Sequence, residues 1–250
     1  MKYSTILGLT TLTVASPVAV VDEEQAAARL YGRQTGIIAK EFSTGGCKDN
    51  IFVFSRGSTE VGNMGAICGP PTSNGLKEAL GADKVATEGV DYGALLSTNF
   101  LPGGADLAGI ATMKGIINDA ASQCPDSNIL VGGYSQGAAM VHRVVEDLDP
   151  AVQDKIAGVV TFGDTQNKQD NGQIKGFPPQ KTKVICNPGD AVCVGTLTIL
   201  PPHLDYTKRA DEAVSFLVSM VQASGNAAAS SGASATSGAK ATKGKGRNRN

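Results

Sequence analysis

Histidine is the scarcest ionisable residue of this sequence: 250 residues hold two, His142 and His203. With so few imidazoles, and with no CxxC pair among the cysteines, a metal site of the usual zinc kind is not expected. Charge of one sign is lacking too. Lys and Arg number 22 against 23 Asp and Glu, a formal net charge of −1, so nothing in the balance points to a nucleic-acid partner. No phosphate-binding fingerprint is present, so no nucleotide or other cofactor is implied. The apolar stretch from Ile6 to Ala15 is too short to span a bilayer. The last residues are basic, which excludes a lipid-anchor signal.

What is present begins with that stretch. Lys2 precedes it and small residues follow at Ala15, Ser16 and Ala19, so residues 1–19 read as a secretory signal peptide. Residues 20–33 lack an apolar pattern and read as a pro-peptide or flexible lead ending at Arg33. Residues 34–221 form the expected catalytic domain. From Gln222 the chain runs "QASGNAAASSGASATSGAKATKGKGRNRN", nearly free of large apolar side chains, so 222–250 are expected to stay disordered. Export permits disulfides among Cys47, Cys68, Cys124, Cys186 and Cys193. Cys186 and Cys193 bracket a short loop and Cys47 with Cys124 would close a long one, but the residues alone leave the connectivity open.

Between the ends, "NIFVFSRG", "KVATEGV", "NILVGGY", "KIAGVVTFGD" and "TKVICNPGD" read as strands, several apolar throughout as strands buried on both faces are. "GADLAGIATMKGIINDAASQC" and "AAMVHRVVEDLD" have helical spacing, the latter with Ala138, Val141, Val145 and Leu148 on one stripe. Alternating strand and helix predicts an α/β three-layer sandwich around a central, mostly parallel sheet, and no insertion is long enough for a lid domain.

The stretch "ILVGGYSQGAAM" carries the chemistry. With glycine at 31 of 250 positions, Gly-x-Ser-x-Gly arises by chance in about one such chain in three, so the bare pattern decides little. Its setting decides more: it follows an apolar strand and opens a helix, as a nucleophile elbow does. Ser135 then projects at the carboxyl edge of the sheet, with a helix N-terminus behind it to stabilise an oxyanion. A serine hydroxyl needs a general base. His142 follows seven residues later on the same helix, about 10 Å away at ~1.5 Å per residue, and is read as structural. His203, in "LTILPPHLDY", is the remaining base. For the carboxylate that orients it, Asp164 and Asp190 both follow apolar runs; Asp190 lies nearer His203 and inside the Cys186–Cys193 bracket. Either gives the order Ser, Asp, His of the α/β-hydrolases.

"FSRGSTEVGNMG", "GGYSQGAAM", "EDLDPAVQDKIAGVVTFGDTQN", "KVICNPGDAVC" and "PPHL", in that order between about Cys47 and Tyr206, resemble the fungal cutinases. The resemblance implies a lidless α/β-hydrolase-type fold with Ser135, Asp190 and His203 as nucleophile, acid and base. It implies an oxyanion hole of Ser58 and Gln136, with Asn99 orienting the Ser58 hydroxyl, and disulfides Cys47–Cys124 and Cys186–Cys193. Cys68 falls outside that pattern, either a buried thiol or a handle for intermolecular pairing. Leu197, Ile199, Leu200 and Leu204 flank His203, and the resemblance implies that they form a substrate rim open to insoluble polyester or to small ester substrates.

The expectation is therefore a secreted, extracellular, monomeric serine esterase acting on cutin and other polyesters or on short- to medium-chain esters. It needs no metal or cofactor, binds no nucleic acid and has no membrane anchor. Esterases that remove acetyl groups from xylan share the elbow and the Cys-bracketed aspartate and are an alternative within enzymes. An inert wall-binding or elicitor protein, working through its basic tail, is the alternative outside them.

Overall fold

A computed structural model describes residues 34–237, with side chains as far as Gly225. The expected signal, the lead up to Arg33 and the basic end from 238 lie outside the described residues. The elements are α1 (Glu41–Gly45), β1 (Asn50–Ser55), α2 (Gly69–Leu80), β2 (Val85–Gly89), α3 (Leu107–Gln123), β3 (Asn128–Tyr134), α4 (Gln136–Val145), α5 (Pro150–Gln153), β4 (Ile156–Phe162), β5 (Thr182–Ile185) and α6 (Ala210–Ser237).

The five strands form one sheet in the order β2-β1-β3-β4-β5, every neighbouring pair parallel. All five expected strands are present. β1 to β4 are hidden on both faces and β5 only in part, so the pleat divides the side chains of the first four between two cores. Ile51 and Val53 of β1 join Met113 and Ile117 of α3 and Val141, Val144 and Val145 of α4 in one core. Phe52 and Phe54 join Leu76 of α2 and Ala213 and Leu217 of α6 in the other. Helices thus cover both faces of the sheet, giving the three layers.

Two helices were not legible as such. The α2 segment opens "GPPTSNG", a composition typical of loops. Its prolines occupy the first turn, where the missing N–H costs nothing and the fixed φ already suits a helix. The α6 helix packs close on β4 at Gly158, where a Cβ would lie 3.0 Å from Met220 Cγ. It continues to Ser237, across the first part of the segment expected to lack structure. Alanine, the strongest helix former, recurs through that extension, and propagation of an existing helix costs far less than its nucleation.

The chain is tied down from its first described residues. Thr35 donates its N–H to Asn74 Oδ1 at 2.7 Å, and its hydroxyl meets Ser73 Oγ at 2.6 Å and Lys77 Nζ at 2.8 Å. Disulfide Cys47–Cys124 joins the approach to β1 to the end of α3, and Cys186–Cys193 closes the turn after β5, so both pairings implied by the resemblance are formed. Cys68 is a fully buried free thiol. Burial, with the Glu60 charge nearby, pushes it well above the ordinary thiol range, so it stays protonated and inert.

Candidate active site

β1, β3, β4 and β5 all end at one edge of the sheet, and the segments leaving them make the site. Between β3 and α4, Ser135 sits at φ 54°, a left-handed conformation that non-glycine residues seldom adopt. The turn is tight enough to dictate both glycines of its motif. A Cβ on Gly133 would stand 2.4 Å from the Gly137 carbonyl oxygen, and one on Gly137 would stand 2.1 Å from that of Ser55. The Ser135 N–H donates to Phe162 O at 2.9 Å, pinning the turn to the end of β4. Behind it the first N–H groups of α4 have no acceptor within the helix and face the same edge as the serine hydroxyl.

His203 Nε2 lies 3.0 Å from Ser135 Oγ, and its Nδ1 lies 2.9 Å from Asp190 Oδ2. Several contacts hold the imidazole there. The Tyr134 ring stacks on it at 5.3 Å between centroids, and the Tyr134 hydroxyl donates to the His203 carbonyl at 2.7 Å. Gly163 passes so close that a Cβ would meet His203 Cε1 at 2.8 Å. Asp190 is fixed in turn: Oδ1 accepts the Val192 N–H at 3.0 Å, and Oδ2 accepts the Tyr206 hydroxyl at 2.6 Å. Asn187 Nδ2, from the same loop, donates to Pro202 O at 2.8 Å and joins the Asp190 loop to the His203 loop.

Asp164, the other carboxylate compatible with the sequence, is occupied elsewhere. Its Oδ2 meets His142 Nε2 at 2.8 Å and Thr161 Oγ1 at 2.8 Å, and its Oδ1 accepts the Gln166 N–H at 2.8 Å. His142 Nδ1 meets Asp170 Oδ2 at 2.9 Å, and Asp170 also pairs with Arg143. Both His142 and Asp164 are fully buried. Burial alone works against either charge, but the hydrogen bond between them and their mutual attraction outweigh it. The His142 pKa is raised and the Asp164 pKa lowered, so both shifts favour the charged forms of the pair.

On the other side of Ser135 stands the "RGSTE" loop. The Glu60 carboxylate folds back on it, accepting N–H groups from Gly57 at 2.8 Å, Ala66 at 2.9 Å and Ile67 at 3.0 Å. Asn99 Nδ2 donates to Ser58 Oγ at 2.8 Å. With that lone pair taken, the Ser58 hydroxyl proton is free to point at another acceptor. Gln136 adds a link the sequence did not suggest: its side-chain Nε2 donates to Leu95 O at 2.9 Å, tying the elbow to the segment that carries Asn99.

Ser58, Ser135 and His203 line a cleft of about 230 Å³. Leu197, Ile199 and Leu204 line it as well. Leu200 is 39% exposed but does not face the cleft; its carbonyl caps the turn at His203 instead. A second apolar border was missed, formed by Leu96 and Phe100, the latter 77% exposed. The signal for it was available in "ALLSTNFLP", where large apolar residues crowd around Asn99 within a short non-strand segment. Thr165, also on the cleft, carried no such signal.

A serine–imidazole–carboxylate relay at the carboxyl edge of a parallel sheet, with N–H donors behind the hydroxyl, belongs to the carboxylic ester hydrolases of the α/β-hydrolase type. The cutinase family model matches residues 46–221, and the chain belongs to the cutinase family. It is 51% identical over 193 residues to a cutinase of Pyricularia oryzae, covering 77% of this chain and 90% of that protein. Among solved structures, a Trichoderma reesei cutinase in complex with a phosphonate inhibitor superposes with TM-score 0.67 at 35% identity, over 80% of this chain and 85% of the other. The catalytic core of an acetyl xylan esterase from Trichoderma reesei shares the fold, with TM-score 0.53 at 19% identity over 69% and 98% of the two chains.

Proposed function

We propose that this serine ester hydrolase is secreted and cleaves cutin and related polyesters, with Ser135, His203 and Asp190 as nucleophile, base and acid. One observation carries the reading: a relay with contacts of 2.9 and 3.0 Å opens into a cleft bordered by aliphatic and aromatic side chains. His203 takes the Ser135 proton as Oγ attacks the ester carbonyl, and Asp190 keeps the Nδ1–H tautomer and stabilises the imidazolium. The oxyanion is met by the Ser58 hydroxyl and the N–H groups of Ser58 and Gln136. His203 then gives its proton to the leaving alcohol, and water activated by the same imidazole hydrolyses the acyl-enzyme. Every group in these steps comes from one chain, so the proposed reaction needs no residue from a partner subunit. Two disulfides and the basic-then-apolar start of the sequence support export.

Substrate class is tested by incubating the enzyme with cutin and with acetylated xylan and measuring soluble hydroxy fatty acids and acetate. Release of hydroxy fatty acids is expected to dominate, because the apolar borders match an aliphatic chain and offer little to a sugar hydroxyl. Acetate release alone would overturn the polyester assignment. The oxyanion assignment has its own test. Ser58→Ala is expected to lower kcat on a nitrophenyl ester by about 10²- to 10³-fold, with little change in KM, because the lost donor acts on the transition state.

A further inference from the structure

We infer that Tyr206 is a positioning residue for the proposed relay: its hydroxyl shares Asp190 Oδ2 with His203 and thereby sets how strongly Asp190 holds the imidazolium. The inference rests on the reading of Ser135, Asp190 and His203 given above. It concerns a residue that neither borders the cleft nor touches an ester, so it acts only through Asp190.

The direction of the hydrogen bond is fixed by its neighbours. The Asn187 N–H donates to the Tyr206 oxygen at 2.9 Å, so the tyrosine proton must go to an acceptor, and the acceptor at 2.6 Å is Asp190 Oδ2. Tyr206 is fully buried, and its ring meets the His203 ring edge-on at 6.2 Å between centroids and Phe162 at 6.1 Å. Cys193 Sγ lies 3.7 Å from the hydroxyl, so the disulfide closes the remaining approach. Burial, followed by the bond to Asp190, raises the Tyr206 pKa far enough that the phenol stays protonated at any working pH.

Two donors on one carboxylate oxygen compete for its charge. While Tyr206 donates, Oδ2 has less negative charge to offer His203 Nδ1–H. Removing the proton concentrates that charge on the imidazole, favours the imidazolium and strands the active serine without its base at a higher pH than before. A tyrosine that served only to fill the core would produce no such effect.

The experiment compares kcat and KM for a soluble nitrophenyl ester from pH 4 to pH 9 in wild type, Tyr206→Phe and Ser135→Ala. In Tyr206→Phe, half-maximal activity on the acid side is expected to move up by about 0.5–1 pH unit. At pH 8 kcat should fall about three- to tenfold with KM unchanged, because the carboxylate is less firmly held. Site-specific 3-fluorotyrosine at 206, a stronger donor of the same shape, should move the acid limb down and serves equally if the phenylalanine variant fails to fold. An acid limb that stays in place in both variants overturns the inference, even if kcat falls, since that is the result of packing alone. Activity retained in Ser135→Ala would overturn the underlying reading instead, so the two failures are told apart.

Discussion

Replacing Ser135 with alanine is expected to lower kcat on a nitrophenyl butyrate assay by about 10⁴- to 10⁶-fold, leaving the melting temperature within a few degrees of wild type. The size follows from the proposed relay acting as a unit: without Oγ, His203 would have no proton to accept, and Asp190 and the oxyanion donors would have no tetrahedral intermediate to serve. The fold should tolerate the change. Alanine occupies the same φ of 54° at no greater cost than serine, and the turn is held by the Ser135 N–H and by Gly133 and Gly137, none of which is altered. The same variant should not be labelled by a phosphonate ester that modifies the wild type, since the bond would form at Oγ. Rates on cutin or soluble ester close to wild type would remove Ser135 from the mechanism.

His142→Leu is expected to do the converse, costing stability of about 3–5 kcal/mol while sparing chemistry. The leucine leaves Asp164 at zero exposure without its imidazole partner, and the two neutral donors that remain, the Thr161 hydroxyl and the Gln166 N–H, do not balance a buried carboxylate charge. In a chain of this length that is a fall in Tm of roughly 6–20 °C, read by circular dichroism. At 25 °C the fraction still folded should keep a kcat near wild type, since the structure puts His142 against Asp164 and Asp170 and not against Ser135. A large loss of kcat in protein that remains folded would instead show that the second histidine belongs to the catalytic machinery.

The same pair shapes the pH dependence of stability. The folded pKa of His142 lies above its ordinary 6.5, so its contribution is complete below 6.5 and is lost as pH rises through the folded value. The folded pKa of Asp164 lies below its ordinary 3.8, so its contribution is complete above 3.8 and is lost as pH falls through the folded value. Between those ordinary values the pair contributes fully. The difference in Tm between wild type and His142→Leu should therefore be greatest there and should narrow toward alkaline pH.

The sheet was readable from its apolar runs because β1 to β4 are buried on both faces and have no solvent side to break the pattern; β5, half-buried at the edge, was readable from its β-branched residues before the turn at Pro188 and Gly189. The α3 and α4 helices were readable because their apolar stripes are regular. The α2 helix was not, since its start uses the residues of a loop, and the extension of α6 runs through a small-residue sequence with no hydrophobic pattern to read. At the site, the scarcity of histidine isolated His203, and the glycines around Ser135 fixed the elbow. Nearness to His203, the cysteine bracket and the resemblance all favoured Asp190 over Asp164, but what Asp164 does instead is a question of three-dimensional partners: it faces His142, not His203. For the same reason Tyr206 was invisible as anything more than the last residue of the resemblance.

The ends of the strands supply Ser58, Ser135 and Asp190, and His203 arrives from the segment after β5. Those contributions are spread over some 145 positions of chain and are joined by parallel neighbours, whose contacts are non-local and slow to form. A partly refolded chain with β1 and β3 paired would hold the elbow and the "RGSTE" loop but neither Asp190 nor His203, the proposed acid and base. Return of esterase activity after denaturation should thus lag behind return of secondary structure, marking the docking of the β5 edge as the step that completes the enzyme.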